Sequence, residues 1–168
     1  MFISRFLKES GVPEPERSHI AAVEALVFTE KPSARVDLPG NVAVKVHSGE
    51  EGNQNFLRPD FWKPMVDAVA GTVVECNTAY DGARNTTERH MGLFRDHGWT
   101  DYYKVDLLDA EGPDLVLDIP DGKVIKKNSV GKDIQNYDSM LVLSHFKGHP
   151  MGGFGGALKQ LSIGLASS

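Results

Sequence analysis

The sequence predicts an α/β fold, a three-layer sandwich with a mainly parallel sheet and an inserted β-hairpin. Short apolar runs typical of buried strands alternate with segments whose apolar residues recur at helical spacing. This alternation favours parallel strands joined by right-handed crossovers. One stretch breaks it: the Pro-Asp-Gly turn at residues 120–122 predicts a hairpin, inserted at about residues 109–133.

The first half of the chain begins the alternation. Residues 14–28 carry apolar side chains at helical spacing and predict a helix: Ile20, Val23, Leu26 and Val27. A loop follows, marked by its proline and glycine residues. The next four elements are a strand, a helix, a strand and a helix, at residues 42–46, 59–70, 71–76 and 86–97.

The second half completes the fold. A short strand is predicted at residues 105–108, and residues 115–119 and 123–126 form the two strands of the hairpin. A buried strand at residues 140–143 runs into a glycine-rich turn. A helix then begins at Ala157, so a turn rich in glycine lies between a strand and a helix start.

Composition limits the classes of function. The 168 residues suit one α/β domain, and the formal net charge of −5 argues against nucleic acid as a partner. No segment approaches membrane-spanning length and no signal peptide is evident, so a cytoplasmic location is expected by default. Because Cys76 is the one cysteine, no iron–sulfur cluster is expected within this chain.

Three polar loops are predicted at the same edge of the sheet. Residues 47–55, 77–85 and 144–156 each follow a predicted parallel strand. In open α/β sheets ligands bind beyond the carboxyl ends of the strands. The three loops therefore define the expected site.

The glycine-rich loop carries the main candidates. Its glycines allow a ligand to approach the backbone, and the first N–H groups of the following helix can bind an anion. The candidate anion-binding glycines are Gly152, Gly153, Gly155 and Gly156. His149 and His145 are candidate acid–base groups, and Lys159 can neutralise a phosphate or act as a nucleophile. The alternative is a tight connection that binds nothing.

The other two loops add candidates. Arg58 and Arg84 can orient an anionic group, although surface salt bridges are the plain alternative. Thr86 and Thr87 offer hydroxyls, and helix capping alone explains one of them. His47 precedes two glutamates and, with His145, is a candidate ligand of a transition metal.

The remaining histidines and the cysteine are assigned structural roles. His90 is expected to be a partly buried structural residue, and His97 an ordinary residue of a helix surface. Cys76 ends a strand and is expected in or near the core.

Four stretches carry a family resemblance: VAVKVHSGEEGNQNFLRP at 42–59, ECNTAYDGARNTTERH at 75–90, DHGW at 96–99 and NYDSMLVLSHFKGHPMGGFGGALKQLSIGLASS at 136–168. They closely resemble the domain-of-unknown-function 362 family, whose members are often labelled uncharacterised iron–sulfur centre proteins. In that family the chain usually continues into further α/β structure and cysteine-rich ferredoxin-like motifs. The resemblance implies that this chain is the N-terminal part of a longer family protein.

The glycine-rich loop is also distantly similar to the nickel-pincer-nucleotide lactate racemases, which carry a PHFxAGFSGGRK stretch. There a histidine acts as acid or base, and a lysine ten residues later holds the nickel cofactor covalently. His149 and Lys159 have that spacing here. The similarity also covers Leu57-Arg58-Pro59 and residues 83–87, where Ala83 occupies the position of the racemases' second catalytic histidine.

Together these features favour a domain that binds an anionic or nucleotide-like cofactor or small molecule, with metal-assisted redox or isomerase chemistry as an extension. The alternative is a non-catalytic domain that docks an iron–sulfur ferredoxin-like domain or partner. A homodimer is also expected if the parallel sheet leaves an edge exposed.

Overall fold

The computed structural model describes residues 38–112, 115–145, 147–149 and 153–167. The helix predicted at residues 14–28 and the candidate ligand Gly152 lie outside the described residues. From Pro39 onward the chain belongs to one compact unit.

Eight short strands and three α-helices are described in this unit. The strands are β1 (Val42–Lys45), β2 (Thr72–Glu75), β3 (Val105–Leu107), β4 (Leu115–Asp118), β5 (Lys127–Val130), β6 (Ser139–Val142), β7 (Lys147–His149) and β8 (Gly153–Gly155). The helices are α1 (Pro59–Ala68), α2 (Thr87–Asp96) and α3 (Ala157–Leu161), with 3-10 helices at Trp99–Asp101 and Lys132–Asn136.

The main sheet has four parallel strands in the order β3-β2-β1-β6. Strands β4 and β5 form one antiparallel hairpin, and β7 and β8 form another. All four residues of β1 are buried, as expected for a central strand that is covered on both faces. The α/β class, the mainly parallel sheet and the antiparallel hairpin are confirmed.

Helices α1 and α2 cover one face of the sheet. Trp62 from α1 and Phe94 from α2 are buried against it, and Trp99 follows α2 with no exposed surface. The hydroxyl of Tyr103 donates a hydrogen bond of 2.6 Å to the carbonyl of Pro59, which ties the two helical regions together. Thr86 caps α2 by accepting a hydrogen bond from the N–H of Arg89.

The opposite face is covered by the end of the chain. A buried cluster on this face joins the strands to the C-terminal segment: Ala43, Val74, Cys76, Leu108 and Leu165. Ala166 also bridges to Val130 of β5, so the inserted hairpin is joined to the same segment. The prediction that Cys76 lies in the core is confirmed.

Two predicted details differ from the structure. The second hairpin strand lies at Lys127–Val130 rather than at residues 123–126, because the connection after the Pro-Asp-Gly turn is longer than predicted. The apolar pair Val124 and Ile125 suggested a strand, yet both side chains are exposed. The glycine-rich turn is not a simple connection either, since it contains β7 and β8.

Close packing at one glycine gives a stability prediction. A Cβ at Gly131 would lie 2.4 Å from backbone atoms of Leu108, which cannot rotate away. We expect Gly131→Ala to lower the free energy of unfolding by about 1–3 kcal/mol. Gly92 in α2 is the matched control: a Cβ there would lie 4.0 Å from its nearest neighbour, the guanidinium of Arg95, so Gly92→Ala should raise stability by up to about 1 kcal/mol. Urea denaturation measures both changes, and equal effects would contradict the packing argument.

Candidate functional site

The strand order creates a crevice between β1 and β6. From β1 the chain proceeds to β2 and β3 on one side, and β6 then joins the other side of β1. Connections that leave neighbouring strands in opposite directions open a crevice at their carboxyl ends, where ligands of α/β proteins bind. His47 follows β1 and His145 follows β6, so these two residues lie beside the crevice.

A cavity of about 180 Å³ opens at this edge of the sheet. Its lining includes residues from all three polar loops: His47 from the first, Tyr80 and Arg84 from the second, and His145 and Gly155 from the third. The expectation that the three loops meet at one place is confirmed. Lys45, Lys147 and Lys159 also line the cavity, so four cationic side chains including Arg84 reach it.

The carboxylate of Glu75 is the central anion of the site. It is 3% exposed, and it accepts hydrogen bonds from the N–H of Ser48 at 3.0 Å and from Nη1 of Arg84 at 3.0 Å. Burial by itself raises the pKa of Glu75. The charge of Lys45, a hydrogen bond from His90 and the charges of His47 and Arg84 outweigh burial and hold this pKa well below its usual value.

Arg84 is held by two carboxylates and one phenol. Besides Glu75, its guanidinium donates to both carboxylate oxygens of Glu50, with Nε at 3.2 Å from Oε2. Its Nη2 also donates to the hydroxyl oxygen of Tyr80 at 2.7 Å. With 6% of its surface exposed, Arg84 is a fixed part of the cavity wall.

Lys45 supplies a buried cation to the cavity. Its amine is 3.9 Å from Glu75 and donates to the amide oxygen of Gln160 at 3.1 Å. Gln160 in turn donates to the carbonyl of Leu143, which links α3 to the end of β6. Burial lowers the pKa of Lys45, although the charge of Glu75 opposes this effect.

The side-chain amines of Lys147 and Lys159 differ from these two cations, because neither amine forms an ion pair or hydrogen bond with the residues that the structure describes. Burial, followed by the positive charges of Lys147 and Arg84, lowers the pKa of Lys159, while Glu50 opposes the shift. Mutual repulsion among cations around an open cavity favours an anionic ligand.

His47 is a neutral hydrogen-bonding group at pH 7. Burial is the main cause that lowers its pKa to about 4, with Glu75 opposing and Arg84 and Lys147 adding to the shift. Its Nδ1 accepts a hydrogen bond of 3.1 Å from the N–H of Gly49. The ring hydrogen is therefore assigned to Nε2, which makes His47 a donor at the cavity.

Gly156 has a conformational role in the glycine-rich loop. Its φ is +154°, and a Cβ there would lie 2.8 Å from the ring of Phe154. Gly155 and Gly156 line the cavity, whereas Gly153 pairs with His149 in the β7–β8 hairpin. Only part of the predicted glycine set therefore reaches the site.

Several predicted ligands are placed outside the cavity lining. Arg58 is exposed, with its guanidinium 4.3 Å from the centre of the Phe56 ring. Thr86 caps α2, and the hydroxyl of Thr87 donates to the carbonyl of Ala110. His149 lies in β7 and is not part of the lining. For these residues a role in binding stays a prediction.

His90 and Ser48 resemble a base and a nucleophile but are closed to substrates. Ser48 Oγ lies 3.3 Å from Nε2 of His90, and Nδ1 of His90 lies 3.2 Å from Oδ1 of Asn77. Neither Ser48 nor His90 has exposed surface. His90 is thus more deeply buried than expected, and its contacts position Glu75 and the second loop.

His97 also differs from expectation, since it is not an ordinary surface residue. Its Nδ1 donates to the carbonyl of Ser48 at 2.8 Å, and its ring stacks on Phe56 with 4.0 Å between centroids. It therefore anchors the loop that carries His47.

Two buried residues of the site were missed by sequence reasoning. Lys45 interrupts the apolar run Val42 to Val46, and Glu75 interrupts the run Val73 to Cys76. A charged residue inside a strand that is buried on both faces is rare unless it is paired. That signal was present in the sequence and points to a paired charge at the end of each strand.

Family comparison identifies the chain. The family described as "Domain of unknown function (DUF362)" matches residues 42–168. The chain belongs to the DUF362 family. No curated protein and no solved structure matches it, so the similarity to lactate racemases stays a prediction.

The DUF362 match covers every element that forms the cavity. Among the described residues, no three or more histidine, cysteine or acidic side chains are grouped so that they could hold a metal ion. Metal ligation by His47 and His145 therefore stays a prediction. No helix within the described ranges is long and apolar enough to cross a membrane.

Removing the charge of Glu75 should destabilise the domain. Glu75→Gln leaves Lys45 and Arg84 buried without their shared carboxylate, so we expect the free energy of unfolding to fall by about 3–5 kcal/mol. Glu51→Gln is the matched control on an exposed side chain and should change stability by less than about 0.5 kcal/mol. Urea denaturation compares the two, and a near-neutral Glu75→Gln would contradict the central role of this carboxylate.

The lowered pKa of His47 predicts a loss of stability in mild acid. Below pH 6.5 the unfolded chain binds a proton at this residue that the folded protein does not bind until about pH 4. The free energy of unfolding should therefore fall by about 2 kcal/mol from this residue between pH 7 and pH 5.

The comparison of wild type with His47→Gln isolates this contribution from the other histidines. The variant should show a smaller fall in stability over the same pH interval, measured by urea denaturation at each pH. Parallel pH profiles for the two proteins would show that His47 does not carry the effect.

Proposed function

We propose that this domain binds a small anionic ligand in the cavity at the carboxyl edge of the sheet. The observation that carries the proposal is the convergence of four cations from different elements: Lys45, Arg84, Lys147 and Lys159. Glu75 and Glu50 are the facing carboxylates, and both are engaged by Arg84. The amines of Lys147 and Lys159 are thus available to a ligand.

An unpaired hydroxyl adds support. Ser167 lines the same cavity, and its buried Oγ has no hydrogen-bond partner in the described part of the chain. Buried polar atoms are rarely left unpaired in native proteins, so a bound anion is a suitable partner. The start of α3 is a weaker argument than the sequence suggested, since this helix has five residues. The lysines, rather than a helix terminus, are the proposed anion ligands.

A more specific proposal concerns a nucleotide-like cofactor and the reactivity of Lys159. A nucleotide-like cofactor would place a phosphate against Lys159 and Arg84. The lowered pKa of Lys159 favours a fraction of neutral amine, as a nucleophile or a covalent anchor requires. Intact-mass measurement of the purified protein tests the covalent form, because an adduct on Lys159 would be absent from Lys159→Gln.

Docking is a second proposal with its own observation. Four apolar side chains near the cavity are exposed: Phe154, Leu158, Leu161 and Ile163. Exposed apolar patches often mark interaction sites. In this second proposal, a ferredoxin-like domain or partner binds the patch, and no ligand in the cavity is needed.

Sulfate binding tests the anion proposal. Sulfate keeps its charge at neutral and alkaline pH, so only the protein titrates. Titration calorimetry should show binding to the wild type and at least about tenfold weaker binding to Lys159→Gln, because a hydrogen bond from a charged group contributes about 1.5–3 kcal/mol. Lys123→Gln, at an exposed position, has the same change in net charge and should bind like the wild type.

The affinity should also depend on pH with a defined sign. Because the pKa of Lys159 is lowered from 10.5, its positive charge is lost as the pH rises toward that value, and sulfate affinity should fall before ordinary lysines titrate.

The anion proposal is wrong if Lys159→Gln and Lys123→Gln bind sulfate with equal affinity, or if the wild type does not bind sulfate. Retained binding in a Leu158→Asp variant would separate the anion site from the docking patch.

A further inference from the structure

A second cavity of about 230 Å³ adjoins the cationic cavity. His47, His145 and Lys147 line both cavities and therefore form the boundary between them. The two spaces lie on either side of the same three side chains at the crevice between β1 and β6. A single ligand that passes this boundary would contact both.

The lining of the second cavity differs in chemistry from that of the first. Apart from the three shared residues, the described residues that line the second cavity include no charged side chain. Besides these, its lining combines four apolar side chains with two amides and one glycine: Phe56, Leu57, Trp62, Leu143, Asn53, Asn55 and Gly49. Such a surface suits an uncharged apolar group with a few polar atoms.

The apolar wall of the second cavity, formed by Phe56, Leu57, Trp62 and Leu143, is held in place by contacts within the protein. The ring of Phe56 stacks on His97 at 4.0 Å, and the guanidinium of Arg58 lies 4.3 Å from the same ring. Trp62 and Leu143 are buried in the core. A preformed wall of this kind lowers the entropic cost of binding.

We propose that the ligand is an amphipathic organic anion, with an anionic oxygen head group in the cationic cavity and a compact apolar body in the second cavity. This inference rests on the proposed function and specifies its ligand class. His47, His145 and Lys147 lie where the head joins the body, and Nε2–H of His47 is available there as a hydrogen-bond donor.

The size of the second cavity limits the body of the ligand. Its volume is below the roughly 300 Å³ at which pockets for drug-sized ligands begin. A single ring or a branched alkyl group fits this space better than a base with its sugar. The geometry thus favours a small aryl or alkyl phosphate or carboxylate over a dinucleotide.

Phenyl phosphate and methyl phosphate form the test pair. At about pH 8 both are dianions, so they differ only in the size of the apolar body. Titration calorimetry should show that phenyl phosphate binds at least about tenfold more tightly to the wild type, since burial of a ring removes a large apolar area from water. In Asn55→Trp, at an exposed position on the second cavity, the ratio of the two dissociation constants should fall towards one.

A second variant and a check of folding distinguish a change in binding from a loss of structure. Leu57→Ser places a polar group in the same wall and should also reduce the ratio, while circular dichroism checks that both variants are folded. This inference is wrong if methyl phosphate and phenyl phosphate bind the wild type equally, or if both variants keep the wild-type ratio of dissociation constants. Either result would leave the proposed anion site in place. If neither compound binds, the proposed function fails with it.

Discussion

The buried carboxylate of Glu75 is the constraint on which the edge of the sheet depends. It receives a backbone N–H from the first loop, a guanidinium from the second, and lies beside the amine of Lys45. An isolated buried cation is costly, so Lys45 and Arg84 require this anion to remain near the core. One charged group therefore joins residues 45–48 to residues 75–84.

The same arrangement leaves the cavity with an excess of positive charge. Arg84 engages both nearby carboxylates, so little negative charge remains to face Lys147 and Lys159. Fixed charges of one sign around a partly enclosed space attract small ions of the other sign. The fold thus separates two groups of cations: the buried pairs hold the loops, and the outer lysines are the proposed ligands of an anion.

Much of the fold could be predicted because its signals are local. Apolar runs identify β1, β2 and β6, while a threonine cap and a following glycine mark the ends of α2. The second hairpin strand was misplaced because Val124 and Ile125 have strand propensity but no partner to pack against. Propensity alone does not fix the register of a strand.

The site was predicted only in part, because side-chain direction depends on distant contacts. Alternation of strands and loops was enough to bring His47, Arg84, His145 and Lys159 together. Thr86 and Arg58 lie in the right segments but serve the cap of α2 and the ring of Phe56 instead. Lys45 and Glu75 were hidden within strands whose other residues form the core.

The thiol of Cys76 offers a built-in probe of the C-terminal segment. Burial, together with the charge of Asp109, raises the pKa of this thiol to about 12, and its sulfur lies 3.5 Å from the carbonyl of Leu165. The folded protein therefore presents almost no thiolate to alkylating reagents or oxidants. The rate at which such a reagent labels the chain's one cysteine reports how often the segment around Leu165 lifts away from the sheet.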